Sequence, residues 1–474
     1  MENIMNKFEN TYINPLALPD YPIGRCSLDK EYNWRETADP TVLYENGKWY
    51  LYPSCGMVYV SEDFRTWKHI RMEPYDCGYA PTVVKHKGKF YLCGSLSDLY
   101  ESDSPTGPFK SIGRFLLPDG TELPRCYDPM VFSDKDERLY LYYATGKPEM
   151  LAVELDSNNP VQLLDVPKVQ FRFNPDHEWE RNGEYNEDGR MCSMEGPWMF
   201  RSGDTYYLVY TAPGTEYSTY AMGAYKGKGP MGPWEYMKTS PFTSKRDGVV
   251  RGPGHGSIAE GPDGTLWVFY TTTICYMDAM ERRIGCDPIY INSDGDLVCK
   301  EISENPRWAP GAVSDPVNCG DTGLVCVTGR RRATASSCAP GRDALYATDE
   351  DLMSWWQPAE DDKEPSITIP IGYWGLNCCA VRLMWRDVGL SLEHGVLPGP
   401  IQYKLEVRDT EKSDDYILVL DRTQSTEDYA VDYRTFESVR ANEIRLTITG
   451  APKGITPGLM NISVFGLWTP EAEG

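Results

Sequence analysis

The chain has 474 residues, more than one hydrophobic core usually serves, and so reads first as two domains. Its 70 Asp and Glu against 47 Lys and Arg leave a net charge of −23, which favours solubility and argues against nucleic acid or an anionic membrane face as partner; a neutral carbohydrate fits better. No run approaches the ~20 apolar residues of a membrane helix, and the opening MENIMNKFENTYINPLALPD lacks the basic lead and apolar core of an export signal. The 14 cysteines are scattered, without a C-x-x-C pair. Some lie in predicted strands (Cys93, Cys275) and two are adjacent (Cys378, Cys379). They read as reduced thiols of a cytoplasmic protein rather than as disulfides or a zinc site.

Residues 1–20 read as a lead-in that closes on the first domain or lies along it. A short phrase then comes round five times: Asp39-Pro40-Thr41-Val42 into NGKWYLYPS, Ala80-Pro81-Thr82-Val83 into KGKFYLCGS, Asp128-Pro129-Met130-Val131 into DERLYLYYAT, Glu195-Gly196-Pro197-Trp198 into GDTYYLVYTA, and His255-Gly256-Ser257-Ile258 into DGTLWVFYTT. An apolar run, a turn rich in Gly, Asp or Asn, and an aromatic strand make a β-hairpin. One hairpin cannot bury its own apolar face, so five at regular spacing predict the blades of a β-propeller over about 30–300. The outer stretches echo one another as well: YVSEDFRTWKHI, YESDSPTGPFKSI and AYKGKGPMGPWEYM. Before the fourth pass, residues 171–194 form a charged insertion that reads equally as part of a rim or as a solvated excursion.

Past residue 300 the texture changes. Residues 304–323, rich in Pro and Asp, read as a linker or strap, which sets the boundaries at 1–303, 304–323 and 324–474. The last segment alternates in SITIPIG, CAVRLMWR, IQYKLEVRD, YILVLDR and NEIRLTITG, as the strands of a β-sandwich do.

The first strand of a blade is the innermost, so the residue opening each pass should face the central channel. Asp39, Asp128 and Glu195 would then meet there. A lone Asp-Pro is a common turn, but three carboxyls at one repeated position are a stronger signal. Two carboxyl groups held in different protonation states are what hydrolysis of a glycosidic bond requires. Trp34, Tyr79, Tyr127 and Trp198 lie near the blade openings and are candidates for the walls of a sugar pocket, with core packing as the alternative, above all for Trp198.

Ala38-Asp39-Pro40, Tyr127-Asp128-Pro129 and Met194-Glu195-Gly196-Pro197, with the outer-strand phrases at Ser61, Asp63 and Trp67 and at Ser104 to Phe109, resemble glycoside hydrolase family 43 over about 30–300. The resemblance implies that Asp39 is the general base, Glu195 the general acid, and Asp128 the carboxylate that orients the acid and raises its pKa. It also implies a basic residue near the acid, matched to Arg283. His255 by itself reads as a structural histidine; the resemblance implies instead the contact of a hydrated calcium or a water cluster on the channel axis. No cofactor is required for the chemistry. Arg332 to Ser337, Ala347-Thr348-Asp349, Trp355 to Pro358 and ISVFGLW resemble a discoidin or coagulation-factor C-type sandwich. Such a domain implies carbohydrate binding and a structural calcium, or a brace for the propeller.

The expected activity is that of an inverting exo-glycosidase of the α-L-arabinofuranosidase or β-xylosidase type, acting on short oligosaccharides. A β-galactofuranosidase or exo-galactanase is the second enzyme reading, although family galactanases lack the first base, so Asp39 counts against them. A carbohydrate-binding propeller without turnover is the third. The sequence does not fix an oligomeric state.

Overall fold

The computed structural model describes residues 7–21, 36–74, 77–189, 193–273, 281–372, 375–390 and 399–467. The chain divides into two compact units: Glu36–Thr273 with Met277–Ile302, and Ser303–Gly474 together with Met1–Arg35 and Ile274–Tyr276.

The first unit is a five-bladed propeller. Blade 1 is the antiparallel sheet Thr41–Glu45, Lys48–Tyr52, Met57–Ser61 and Lys68–Arg71. Blade 2 starts at Tyr79–His86, blade 3 at Tyr127–Ser133, blade 4 at Glu195–Ser202 and blade 5 at Gly254–Glu260. Blade 3 carries a fifth strand, Lys168–Arg172, on its third. The innermost strands touch in order and the fifth closes on the first, where the Val42 amide donates to Ser257 Oγ at 3.0 Å. Radial repetition of this kind leaves only short, protected strand edges.

The repeated phrases have local causes. In the stretch after blade 1's third strand, Asp63 Oδ1 accepts from Ser61 Oγ and from the amides of Arg65 and Thr66, a side-chain-closed turn that delivers Trp67 into the core. Second strands such as Leu139–Ala144 are buried on both faces, which is why they read as unbroken apolar and aromatic runs.

The second unit is the expected sandwich. One sheet orders Val325–Cys326, Thr456–Leu467, Leu376–Val388 and Val431–Ala441; the other orders Thr334–Ala335, Ser366–Pro370, Glu443–Gly450, Gln402–Arg408 and Ile417–Asp421. Their inner faces bury Trp356, Ile367, Leu383, Leu405 and Val464.

The boundaries differ from expectation at the N-terminal side. Residues 7–21 belong with the sandwich, not with the propeller: Phe8 and Ile13 bury against Leu324, Cys379, Ala380 and Phe465, and Thr11–Tyr12 pairs with Arg307–Trp308. Residues 304–323 are accordingly part of the same unit, with a helical turn over Pro316–Cys319 capped by the Asp315 carboxylate. Among the described residues 11 cysteines are free, and burial pushes the Cys93 and Cys378 thiols up to about 12. Among the described residues no helix is long and apolar enough to cross a membrane.

Candidate active site

Each blade enters the channel through one residue with left-handed backbone: Asp39 (φ 53°), Ala80 (49°), Asp128 (47°), Gly196 (58°) and His255 (38°). In blades 2 to 5 this residue sits in a β-bulge at the start of the innermost strand, where the pairing register shifts. A non-glycine residue in this region costs roughly 1 kcal/mol or more, and its recurrence marks a built feature. The fourth member is Gly196, so Glu195 stands one residue before the repeated position rather than at it. The Pro that follows Asp39, Ala80, Asp128 and Gly196 is the sequence mark of the true alignment.

The amides of these residues are held by hydroxyls at the ends of second strands. Ser54 Oγ accepts from the Ala80 amide, Ser95 Oγ from Asp128, Thr211 Oγ1 from His255 and Thr271 Oγ1 from Asp39, all at 2.8–3.0 Å. In blade 3 the corresponding residue, paired with Tyr127 as Ser95 is with Tyr79, is Ala144. The Gly196 amide donates instead to Asp128 Oδ2 at 3.2 Å. Ser95 Oγ donates to the other oxygen, Oδ1, at 2.9 Å, so Asp128 is fixed at both ends.

Asp39 is 3% exposed. It accepts from Ser54 Oγ at 2.8 Å, faces Nδ1 of His255 at 3.3 Å, and receives both terminal nitrogens of Arg282 at 3.2 and 3.4 Å. Burial pushes its pKa up, but the charges of Arg282 and then His255, with the Ser54 and Thr271 hydroxyls, outweigh it and hold the carboxyl below its ordinary value. Arg282 also donates Nε to Glu36 at 2.6 Å and Nη2 to the Tyr79 hydroxyl, which itself donates to Glu36 at 2.7 Å. Glu36 moves the other way: burial raises its pKa, with Arg282 opposing and Asp39 adding to the rise.

Glu195 is governed first by burial and then by the charge of Asp128, which together push it up to about 7; His255 and a 2.5 Å hydrogen bond from the Tyr220 hydroxyl pull the other way. Tyr220 is wholly buried and its ring lies against Gly254, where a Cβ would fall 2.3 Å from a ring carbon. His255 is packed on Gly196, where a Cβ would come within 2.7 Å of the imidazole. The imidazole thus stands between Asp39 and the backbone next to Glu195. A cavity of about 740 Å³ opens from Asp128 and Glu195 and is lined by Tyr127, Met194 and Asn182 among others.

The structure brings Asp39, His255, Tyr79, Asp128, Tyr127 and Glu195 to one end of the channel region. Two expected members do not join them. Arg283 is buried facing away, its Nη1 on the carbonyl of Arg282; neighbours on a strand point to opposite faces, and Arg282 is the one aimed at Asp39. Trp198 is 7% exposed with Nε1 on the carbonyl of Ile258, so it packs between blades and does not wall the cavity. Trp34 lies outside the described residues. Calcium favours six to eight oxygen ligands, whereas His255 offers one imidazole whose Nδ1 faces Asp39, and no three His, Cys, Asp or Glu side chains converge among the described residues. That donor set does not fit a protein-held calcium. Glu36, Tyr220 and Arg282 were not singled out by the sequence. The terminal Ser and Thr of the repeated phrase were visible in it.

The family model for glycosyl hydrolases family 43 matches residues 35–297, more than half of the chain. The chain belongs to that family. A β-D-galactofuranosidase of Aspergillus niger is 24% identical over 303 residues, 56% of this chain and 83% of that protein. A non-reducing-end α-L-arabinofuranosidase of Bacteroides ovatus is 23% identical over 263 residues, 48% of this chain and 44% of its own. The chain spans about half the length of several curated family-43 relatives it matches. The crystal structure of a thermostable family-43 glycoside hydrolase superposes with a TM-score of 0.51 at 24% identity, over 64% of this chain and all of the other, a likeness of fold.

Proposed function

We propose that this family-43 glycoside hydrolase is an inverting, exo-acting enzyme that releases pentose from short oligosaccharides, as an α-L-arabinofuranosidase or β-xylosidase. The observation that carries the reading is the opposed protonation of two carboxyls in one site: Asp39 held anionic by Arg282 and His255, Glu195 held protonated to about 7 by burial and Asp128. Glu195 gives its proton to the glycosidic oxygen as the C–O bond breaks. Asp39 takes a proton from the water that attacks the anomeric carbon from the opposite face. Asp128 is pinned beside the acid by Ser95 and Gly196, and its charge favours the protonated form of Glu195. Asp39 comes from blade 1 and Glu195 from blade 4, blades that are not neighbours in the ring. That placement suits the carboxyl separation of about 6.5–9.5 Å that leaves room for the water. No cofactor takes part. The free thiols support a reducing, cytoplasmic setting.

The similarity to a galactofuranosidase keeps that sugar as the second reading, since a hexofuranose presents the same ring with a longer arm. Nitrophenyl arabinofuranoside, xyloside and galactofuranoside assayed side by side decide the sugar. Proton NMR of the first-formed product decides the stereochemistry: inversion is expected, and retention would remove Asp39 from the role of base. A protein that binds these sugars without turning any of them over would be the carbohydrate-binding propeller instead.

A further inference from the structure

The cavity does not end at Asp128 and Glu195. Its outer wall is formed by Arg125, Thr145, Lys147 and Asn182, from the approach to blade 3, the end of that blade's second strand, and the charged insertion. Arg125 and Lys147 are exposed, and neither side chain has an ion pair or hydrogen bond among the described residues. Other cations of the same blade are matched: Arg138 by Asp136 at 2.8 Å, Arg172 by Glu149 at 3.2 Å. The Thr145 hydroxyl is buried without a hydrogen-bond partner. Asn182 pairs with Asp188 only through its backbone. Four donor side chains with no partner among the described residues therefore line one wall, two of them cationic, in a chain whose net charge is −23. Arg125 does so from a left-handed backbone (φ 53°), a conformation that a residue with a Cβ seldom adopts.

We propose that this wall binds the leaving-group part of the substrate, and that this part carries a carboxylate, as a uronic acid residue does. The inference rests on the assignment of Glu195 as acid, because the leaving oxygen must then lie against Glu195 and the rest of the leaving group on the side of the cavity beyond it. A guanidinium presents a planar fork that matches a carboxylate's two oxygens, and the Lys147 ammonium adds a second charge. Thr145 and Asn182 are placed to meet ring hydroxyls. A neutral sugar would satisfy the hydroxyl and the amide and leave both cations to water, giving them no part in discrimination.

The test compares two substrates on the pentose chosen by the panel above: the 4-nitrophenyl glycoside and its 3-carboxy-4-nitrophenyl analogue. The ratio of kcat/KM, carboxylated over plain, should fall by roughly tenfold in the Arg125→Ala, Lys147→Ala double variant, about the loss of one charge-assisted hydrogen bond at a half-open site. Taking the ratio between enzymes cancels the different acidities of the two phenols. Calorimetric titration of D-glucuronate, D-glucuronamide and D-glucose 6-sulfate into wild type and double variant supplies a readout independent of turnover. Glucuronate should bind more tightly than the amide, and only in the wild type. An unchanged ratio, or equal binding of acid and amide, overturns the proposal; a sulfate ester binding better than the carboxylate overturns the uronic assignment. Failure to turn over either aryl glycoside sinks the glycosidase reading instead, and the titrations still decide the wall.

Discussion

Arg282 in the propeller and Arg382 in the sandwich are both nearly out of water, at 3% and 2% exposure, yet their surroundings are opposite. Arg282 meets two carboxylates and a phenol, and Asp39 and Glu36 drive its pKa up against the pull of burial. Arg382 meets the carbonyls of Asn14 and Glu304 and the Ser463 hydroxyl, and burial lowers its pKa. The first gathers charge at a point where charge must change during a reaction. The second binds segments far apart in sequence into one unit, tying the lead-in and the strap to a strand of the sandwich. Burial alone does not distinguish function from architecture; the partners do.

Four perturbations would break or sharpen that contrast. Asp39→Asn keeps the shape of the site but cannot accept a proton, so kcat should fall by at least about a hundredfold, the lower range of a general base's contribution. KM should change little, and a near-normal kcat would sink the assignment. Glu195→Ala should cost about 10²–10⁴-fold on natural oligosaccharides and far less on aryl glycosides, whose leaving groups need little protonation. Equal losses on both would separate Glu195 from the leaving oxygen. Arg382→Met should leave kcat at 25 °C intact while calorimetry shows the sandwich weakened by roughly 1.5–3 kcal/mol, the scale of hydrogen bonds made by a charged donor. A fall in kcat without a fall in stability would contradict the architectural reading.

The smallest effect concerns pH. With Asp39 as the proposed base and Glu195 as the proposed acid, the rate should rise as pH climbs through the depressed pKa of Asp39 and fall through about 7 as Glu195 loses its proton. The Tyr220 hydroxyl stabilises the ionised form of Glu195. Tyr220→Phe should therefore move the alkaline limb of kcat/KM upward, by roughly half a pH unit to one. A limb that stays put or moves down would mean that the hydrogen bond does not set the acid's titration.

The repeated phrase made the five blades legible because each blade solves the same packing problem with the same local pattern. Asp39 and Asp128 were legible for the same reason. Glu195 was legible as a residue but not in its placement, since the repeat is carried by left-handed backbone and Gly196 occupies that position. The sequence does not tell Arg282 from Arg283, because adjacent strand residues differ only in the face they take and RRIG gives no hint of which face is inner. Glu36 and Tyr220 lie in stretches that do not repeat, one before blade 1 and one before the third strand of blade 4, and only the folded chain brings them to the carboxyls. The pairing of Thr11–Tyr12 with Arg307–Trp308 was beyond reach for another reason: two residues are too few for any periodicity to register.

The substitution of Ala144 for a hydroxyl has a consequence for how the site came to have a direction. If every blade kept its Ser or Thr, each amide of the inner ring would be held alike, by a hydroxyl of the preceding blade. With one hydroxyl missing, the Gly196 amide turns to Asp128, and the two blades that carry Asp128 and Glu195 become joined through a carboxylate. That sector of the ring thereby holds its amide through a carboxylate where the other four use a hydroxyl, beside the residue proposed as the acid. Asymmetry at a single methyl group thus sets one sector of a repeated object apart from the rest.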